Sequence, residues 1–224
     1  MSQAMKVASD LKSDTLDGFL FFQPDGGLMH DRTKQLRSLI RGMESVCVAY
    51  SGGVDSTFLL KIAYDELGES ALAVTADSPS LPRDDLRQAQ TIAAQIGVRH
   101  LCAPIAEMSD PRYMENPPQR CYFCKTHTYG ALIAIANREG FRWVVDGNNA
   151  DDAHDARPGR RAAQECVVRS PLQEVGLTKS EIRKLAREHG LPNWDKPAAA
   201  CLSSRIPSGS RITLESLMQV ERAE

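Results

Sequence analysis

The stretch VCVAYSGGVDS, residues 46–56, sets a short apolar run against a turn made of Ser51, Gly52, Gly53, Val54, Asp55 and Ser56. The run has the length and composition of a buried strand. The two glycines adopt backbone dihedrals that other residues resist, and they let a ligand approach the main chain. A helix starting directly afterwards, over 57–67, presents N–H groups to an anion, with the hydroxyls of Ser51 and Ser56 beside them. The turn therefore reads as a phosphate cradle. Asp55 is its unusual member, because a carboxylate repels phosphates unless it caps the helix or shares a divalent cation. A plain tight turn with an Asp/Ser cap is the alternative. No lysine follows the second glycine, so this is not the Gly-x-x-x-x-Gly-Lys-Ser/Thr loop.

Outward from the turn, apolar runs at 46–50, 71–75, 98–102 and 143–147 alternate with helical patterns at 57–67, 84–96 and 128–138. That alternation predicts an α/β fold, a doubly wound parallel sheet covered on both faces. Ligands of such sheets gather at the carboxyl ends of the strands, which selects the loops 51–56, 76–83 and 147–161. Leu36, Leu39, Ile40 and Met43 recur at helical spacing and predict a helix over 31–44. Thr178 and Glu181 form a capping box for a helix over 178–189, stopped by Gly190 and Pro192. Residues 193–210 are irregular, and a last helix begins near Leu214 within a C-terminal segment read as truncated. The organisation expected is a loose leader (1–30), a nucleotide domain (31–177), and a segment holding a helix, a cysteine loop and the start of the C-terminal part (178–224).

Hydrophobic residues make up 42% and charged residues 25% of the 224, with a formal net charge of -2. No overall basic field is present, so nucleic acid is not an expected partner, although Arg157, Arg160, Arg161 and Arg169 lie close together and suit an anion. No run is apolar enough to cross a membrane, and no start-proximal segment resembles a secretory signal. A reducing cytoplasm is expected, so the 6 cysteines are read for chemistry, not for disulfides. Cys121 and Cys124 form a C-x-x-C pair directly before a helix, flanked by Arg120 and Lys125, a setting that lowers thiol pKa. A redox dithiol, half of a zinc site and part of an iron–sulfur site all stay open. Cys201 lies in PAAACLSSRIP, where small neighbours leave room for a bulky partner and Arg205 adds positive charge; it reads as reactive. If its loop folds back on the pair, three thiolates converge, and three ligands on a cubane leave one iron open. Cys47, Cys102 and Cys166 read as core, and His127 as a packing or surface residue. Asp146, Asn148, Asp151 and Asp152 either cap a turn, orient a ribose or hold a cation. Trp194 is read as a stacking or anchoring ring, and Asp195 as a partner for Arg205.

SGGVDS resembles the pyrophosphatase loop of the N-type ATP pyrophosphatases, which transfer AMP to an oxygen and release pyrophosphate. Together with RCYFCK, DGNNADD, RPG, SPL, LAREHGLPNWDKPAAACLSSR and IPSG, it resembles the ATP-dependent sulfur transferases that mature the nickel-pincer nucleotide cofactor of lactate racemase. The likeness runs from about residue 32 to the end. It implies an adenine nucleotide alpha-hydrolase-like (PP-loop) fold that uses ATP and Mg²⁺. It implies nucleotide contacts at Ser51 to Ser56, Asp77, Gly147, Arg157 and Arg161, and Mg²⁺ ligands among Asp55, Glu165 and Glu181, with Glu174 weaker. It implies adenylation of a carboxylate of pyridinium-3,5-biscarboxylic acid mononucleotide, then conversion to a thiocarboxylate at Cys201. Because Cys121 and Cys124 are present as well, the chain resembles the three-cysteine subgroup, which carries a [4Fe-4S] cluster with an added sulfide. A sulfide donor and a homo-oligomer follow from the same resemblance. A tRNA thiolase, an amidating synthetase of the same superfamily and a nucleotide-binding protein with structural metal are the rival readings.

Overall fold

The computed structural model describes residues 24–154, 158–198 and 200–224. Residues 1–23 of the expected leader, and Arg157, lie outside them. The apolar runs form four strands: β1 (Val46–Ala49), β2 (Ala71–Asp77), β3 (Arg99–Pro104) and β4 (Trp143–Val145). All neighbours are parallel, in the order β3-β2-β1-β4. The chain steps outward from β1 to β2 and β3 and then returns to the other side of β1. The order reverses between β1 and β4, so a crevice opens there at the carboxyl ends.

Alternation along the strands builds two cores. Val46 and Val48 of β1, and Tyr50 just after it, belong to one core with Ala71 and Ala73 of β2, on one face of the sheet. That face is covered by α1 (Pro24–Met43), α2 (Val54–Leu67), α3 (Arg83–Ile96) and α8 (Lys179–Glu188), through residues such as Leu36, Ile40, Phe58, Ile62, Ala89 and Ile182. Cys47, Leu72 and Val74 point to the other face, under α5 (Arg120–Glu139) and α6 (Pro158–Glu165). A third, smaller cluster joins Tyr113 of α4 (Pro111–Met114) to Leu202, Ile206, Ile212 and Leu217. It docks the C-terminal segment, including α9 (Leu214–Ala223), onto the start of α5. The short α7 (Pro171–Glu174) follows α6 and completes the set.

Three expectations need correction. The first helix begins at Pro24, not at residue 31. The helix expected at 128 begins at Arg120, so the C-x-x-C pair lies inside its first turn and not before it. Cys102 is exposed, not core, because β3 is an edge strand whose residues are only partly covered. Cys47 is buried as expected, and Cys166 is half-buried against the second core. Among the described residues, no helix is long and apolar enough to cross a membrane.

Candidate active site

β1 delivers the chain to the phosphate turn, and α2 leaves it. Gly52 has φ +73, and a Cβ there would lie 2.9 Å from the Cβ of Ala89 on α3. Only glycine meets both demands. The Ser51 and Ser56 hydroxyls are 3.1 Å apart, and Ser56 Oγ and Thr57 Oγ1 donate to the Gly53 carbonyl at 3.1 and 2.8 Å. No side chain caps α2, whose N-cap is Gly53; its first N–H groups stay available to an anion. Asp55 does not cap the helix either. Its Oδ2 accepts from Lys179 Nζ at 2.5 Å, and its buried Oδ1 has no partner. Burial raises the Asp55 pKa, and Lys179 opposes that rise.

A cavity of about 430 Å³ opens over this turn, lined by Ser51, Gly53, Asp55 and Ser56 on one side and by Asp146, Gly147, Asn148, Asn149, Asp151 and Asp152 on the other. Lys125, Lys179 and Ala198 close its rim. It is the crevice where the strand order reverses. Its second wall is stiff: buried Asp146 accepts from Tyr129 Oη (2.7 Å), Ser170 Oγ (2.7 Å) and Asn148 Nδ2 (2.7 Å). The charge of Asp146 and burial push the Tyr129 hydroxyl well above the usual phenol range, burial being the larger cause. An adjoining recess of about 160 Å³, lined by Tyr50, Val74, Ala76, Leu81 and Leu132 among others, shares Ala49, Ser51 and Lys125 with the cavity.

The cysteine loop is seated from several directions. Leu202 N donates to Ser80 O at 2.9 Å, and Tyr113 Oη pairs with Ser203 Oγ at 2.6 Å. Arg120 donates to Ser203 O (2.7 Å) and to Asn116 Oδ1 (2.9 Å), while Asn116 Nδ2 holds the carbonyls of Ile206 and Pro207. These ties place Cys201 beside the first turn of α5. Cys121 and Cys124 are three residues apart on that turn and so share a face. The Cys124 thiol is pushed up to about 12, chiefly by burial and then by Glu107, with Cys201 and Cys121 adding smaller effects. The expected lowering by the helix terminus is thus overridden at Cys124. Glu107 is fully buried; it accepts from Ser78, and its Oε2 has no partner. Among the described residues, no group of three or more His, Cys, Asp or Glu side chains is already disposed to hold a metal ion.

The remaining candidates are spread more widely. Asp77 pairs with Arg83 at 2.6 Å. Arg161 pairs with Glu165 at 2.7 Å and lies over the Tyr122 ring, whose hydroxyl also donates to Glu165. Glu181 completes the capping box of α8 and accepts twice from Arg32, at 2.9 and 3.0 Å. Glu174 pairs with Arg169, and Arg205 with Glu224 at 2.5 Å. His127 packs against Asp110 at 3.0 Å, and Arg187 lies over the Trp194 ring. Sequence reading missed Lys179, Asn193, Asn116 and Tyr113. Lys179 sits in the capping-box helix that the sequence did reveal, but its partner lies 124 residues earlier.

A family model described as NAD synthase matches residues 28–120. The protein slr1717 of Synechocystis sp. is 46% identical over 197 residues, covering 88% of this chain and 74% of that protein. A Lactiplantibacillus plantarum protein, pyridinium-3,5-bisthiocarboxylic acid mononucleotide synthase, is 37% identical over 190 residues, covering 84% of this chain and 69% of that one. Among solved structures, the NH3-dependent NAD synthetase from Campylobacter jejuni superposes with a TM-score of 0.61 at 19% identity, over 73% of this chain and 74% of its own. The α/β doubly wound parallel sheet is thus of the PP-loop, adenine nucleotide alpha-hydrolase-like type.

Proposed function

Because this chain belongs to the family of slr1717 and the L. plantarum synthase, a family of ATP-using PP-loop enzymes, we propose that it is an ATP-dependent sulfur transferase acting on a pyridinium carboxylate mononucleotide. One observation carries the reading: the cysteine loop borders the phosphate cavity, with Ala198 lining the cavity three residues before Cys201. In the first half-reaction, ATP phosphates lie on the 51–56 turn and adenine enters the apolar recess. A substrate carboxylate oxygen attacks the α-phosphorus, and the phosphorus–oxygen bond to pyrophosphate breaks. The turn N–H groups, Lys125 and Lys179 stabilise the developing charge. Asp55, with one oxygen unpartnered and the other paired with Lys179, would share Mg²⁺. In the second half-reaction, a sulfur nucleophile attacks the acyl carbon and AMP leaves with the electron pair of the broken carbon–oxygen bond. Adenylation is required because a free carboxylate is a poor electrophile.

Cys121, Cys124 and Cys201 would hold a [4Fe-4S] cluster. In ligand type the trio fits, and the loop of Cys201 is tied through Ser203 to Arg120 at the start of α5, the helix that carries Cys121 and Cys124; the three thiols are not yet grouped to hold a metal and would have to close around it. When bound, the cluster would hold an added sulfide, beyond its own four, as the donor sulfur. In its absence the exposed Cys201 would be the nucleophile: its thiolate attacks the acyl carbon to form a thioester as AMP leaves, and removal of the Cys201 α-proton then breaks the Cβ–Sγ bond, giving the thiocarboxylate and dehydroalanine.

The experiment is to incubate anaerobically purified protein with Mg²⁺, ATP and pyridinium-3,5-biscarboxylic acid mononucleotide, following pyrophosphate and thiocarboxylate, with Cys201→Ala alongside. Wild type should form both products, and the variant pyrophosphate alone. No pyrophosphate from wild type refutes the proposal. Iron and acid-labile sulfide are measured on the same samples. About four irons per chain, lost in Cys201→Ala, support the cluster; iron-free wild type refutes it and leaves Cys201 as a sacrificial donor.

A further inference from the structure

Asn193 lies in the loop after α8 and is 2% exposed. Its Nδ2 donates to the Gly52 carbonyl and to Thr57 Oγ1, both at 2.9 Å. Its Oδ1 is buried without a partner. Thr57 Oγ1 already donates its hydrogen to Gly53 O, so it can only accept from Asn193. Turning the amide over would set Oδ1 against two acceptors. Asn193 therefore keeps an orientation that leaves its own carbonyl unsatisfied, a local cost set against the two buried hydrogen bonds by which its Nδ2 holds the turn.

The gain appears at the turn. A peptide unit is planar, so its carbonyl and the next N–H point in opposite directions. Pinning the Gly52 carbonyl under Asn193 sends the Gly53 N–H the other way, where it makes a long 3.3 Å hydrogen bond to Ser51 Oγ, and both Gly53 and Ser51 line the cavity. At φ +73, Gly52 has no side chain to fix this plane. The same loop then runs to the sulfur site. Arg183 holds the carbonyls of Trp194 and Lys196, and Lys196 Nζ reaches Asp85 (2.8 Å) and Gln88 (2.6 Å) on α3. Ala198 borders the cavity, and Leu202 is tied to Ser80.

We infer that Asn193 is a positioning residue: it orients the Gly52–Gly53 peptide toward a bound phosphate and hitches the cysteine loop to that turn. The inference rests on the phosphate reading of the cavity given above.

Equilibrium binding of Mg-ATP, KM for ATP and thermal unfolding are compared in wild type, Asn193→Ala, Asn193→Asp and Ile182→Ala. Ile182 is a core residue of α8 outside the site. Both Asn193 variants are expected to weaken ATP binding and raise its KM by roughly tenfold or more. Ile182→Ala, destabilised by a cavity, should keep wild-type affinity. If the alanine variant fails to fold, the aspartate variant of nearly equal size carries the test, since its carboxylate repels the Gly52 carbonyl. ATP affinity within twofold of wild type in either folded variant overturns the assignment, as does a loss of affinity in Ile182→Ala that tracks stability. Wild type that binds no Mg-ATP overturns the phosphate reading itself; wild type that binds with unaffected variants overturns only the role of Asn193.

Discussion

Gly147→Ala tests how closely the two walls of the cavity are fitted. A Cβ at Gly147 would lie 2.8 Å from Ser56 N, 3.0 Å from Ser56 Cα and 3.2 Å from the Asp55 carbonyl carbon. All three atoms are backbone of the first turn of α2, which is packed into the first core and cannot swing aside as a flexible side chain would. Ordinary contact begins at 3.4 Å, so the loop after β4 must move off the phosphate turn by about 0.6 Å. Overpacking of this kind costs about 1–3 kcal/mol, which in a chain of this size lowers Tm by roughly 2–12 °C. The displacement falls between the two walls of the cavity proposed to hold the nucleotide. A misplacement of about 1 Å costs roughly 100-fold in rate, so a loss of about tenfold or more in kcat/KM for ATP is expected. Pyrophosphate release and a thermal melt measure the two effects. Gly130→Ala is the control: Gly130 sits in α5 with nothing within 4 Å of its added Cβ, and it should gain about 0.5–1 kcal/mol. Gly147→Ala with wild-type kcat/KM and Tm would refute the close fit of the walls.

Two further outcomes follow from ionisation. Arg112 first, and then His127, hold the Asp110 carboxyl well below the usual aspartate range. A depressed pKa gives stability that is present above the ordinary value of about 3.9 and is lost as pH falls. Asp110→Asn should therefore cost about 1–3 kcal/mol at neutral pH and flatten the acid limb of denaturant unfolding; an unchanged acid limb would contradict the pairing. Burial pushes the thiols of Cys47 and Cys124 up to about 12, while Cys102, Cys121 and Cys201 are exposed. Brief iodoacetamide treatment at pH 7.5, read by peptide mass spectrometry, should label the exposed three and spare the other two. Equal labelling of Cys124 and Cys201 would overturn that ordering.

Local chemistry carried much of this molecule into view. The four strands were readable because short apolar runs between glycine-bearing turns have few other solutions, and the turn at 51–56 was readable because two glycines beside a strand serve a definite purpose. The capping box of Thr178 and Glu181 is present with both of its hydrogen bonds. What failed depended on neighbours distant in sequence. Cys102 looks like core in a linear reading and is exposed only because β3 lies at the sheet edge, which strand order decides. Residues 120–127 lack clear apolar periodicity, so the start of α5 was placed too late; Pro117 and Pro118, just ahead of its N-cap Gln119, were the available signal. The latch of Asn116, Tyr113 and Ser203 joins residues about 90 apart, and nothing in either stretch announces the other.

The tie between Gly52 and Asn193 spans 141 residues, and this gives the protein a timetable. On the ribosome, β1 and the phosphate turn emerge early, and all four strands are out once Val145 has been added. The amide that sets the turn comes nearly fifty residues later, shortly before Cys201. A half-synthesised copy, with all four strands made but Asn193 still to come, thus carries a turn whose Gly52 carbonyl has no amide to hold it.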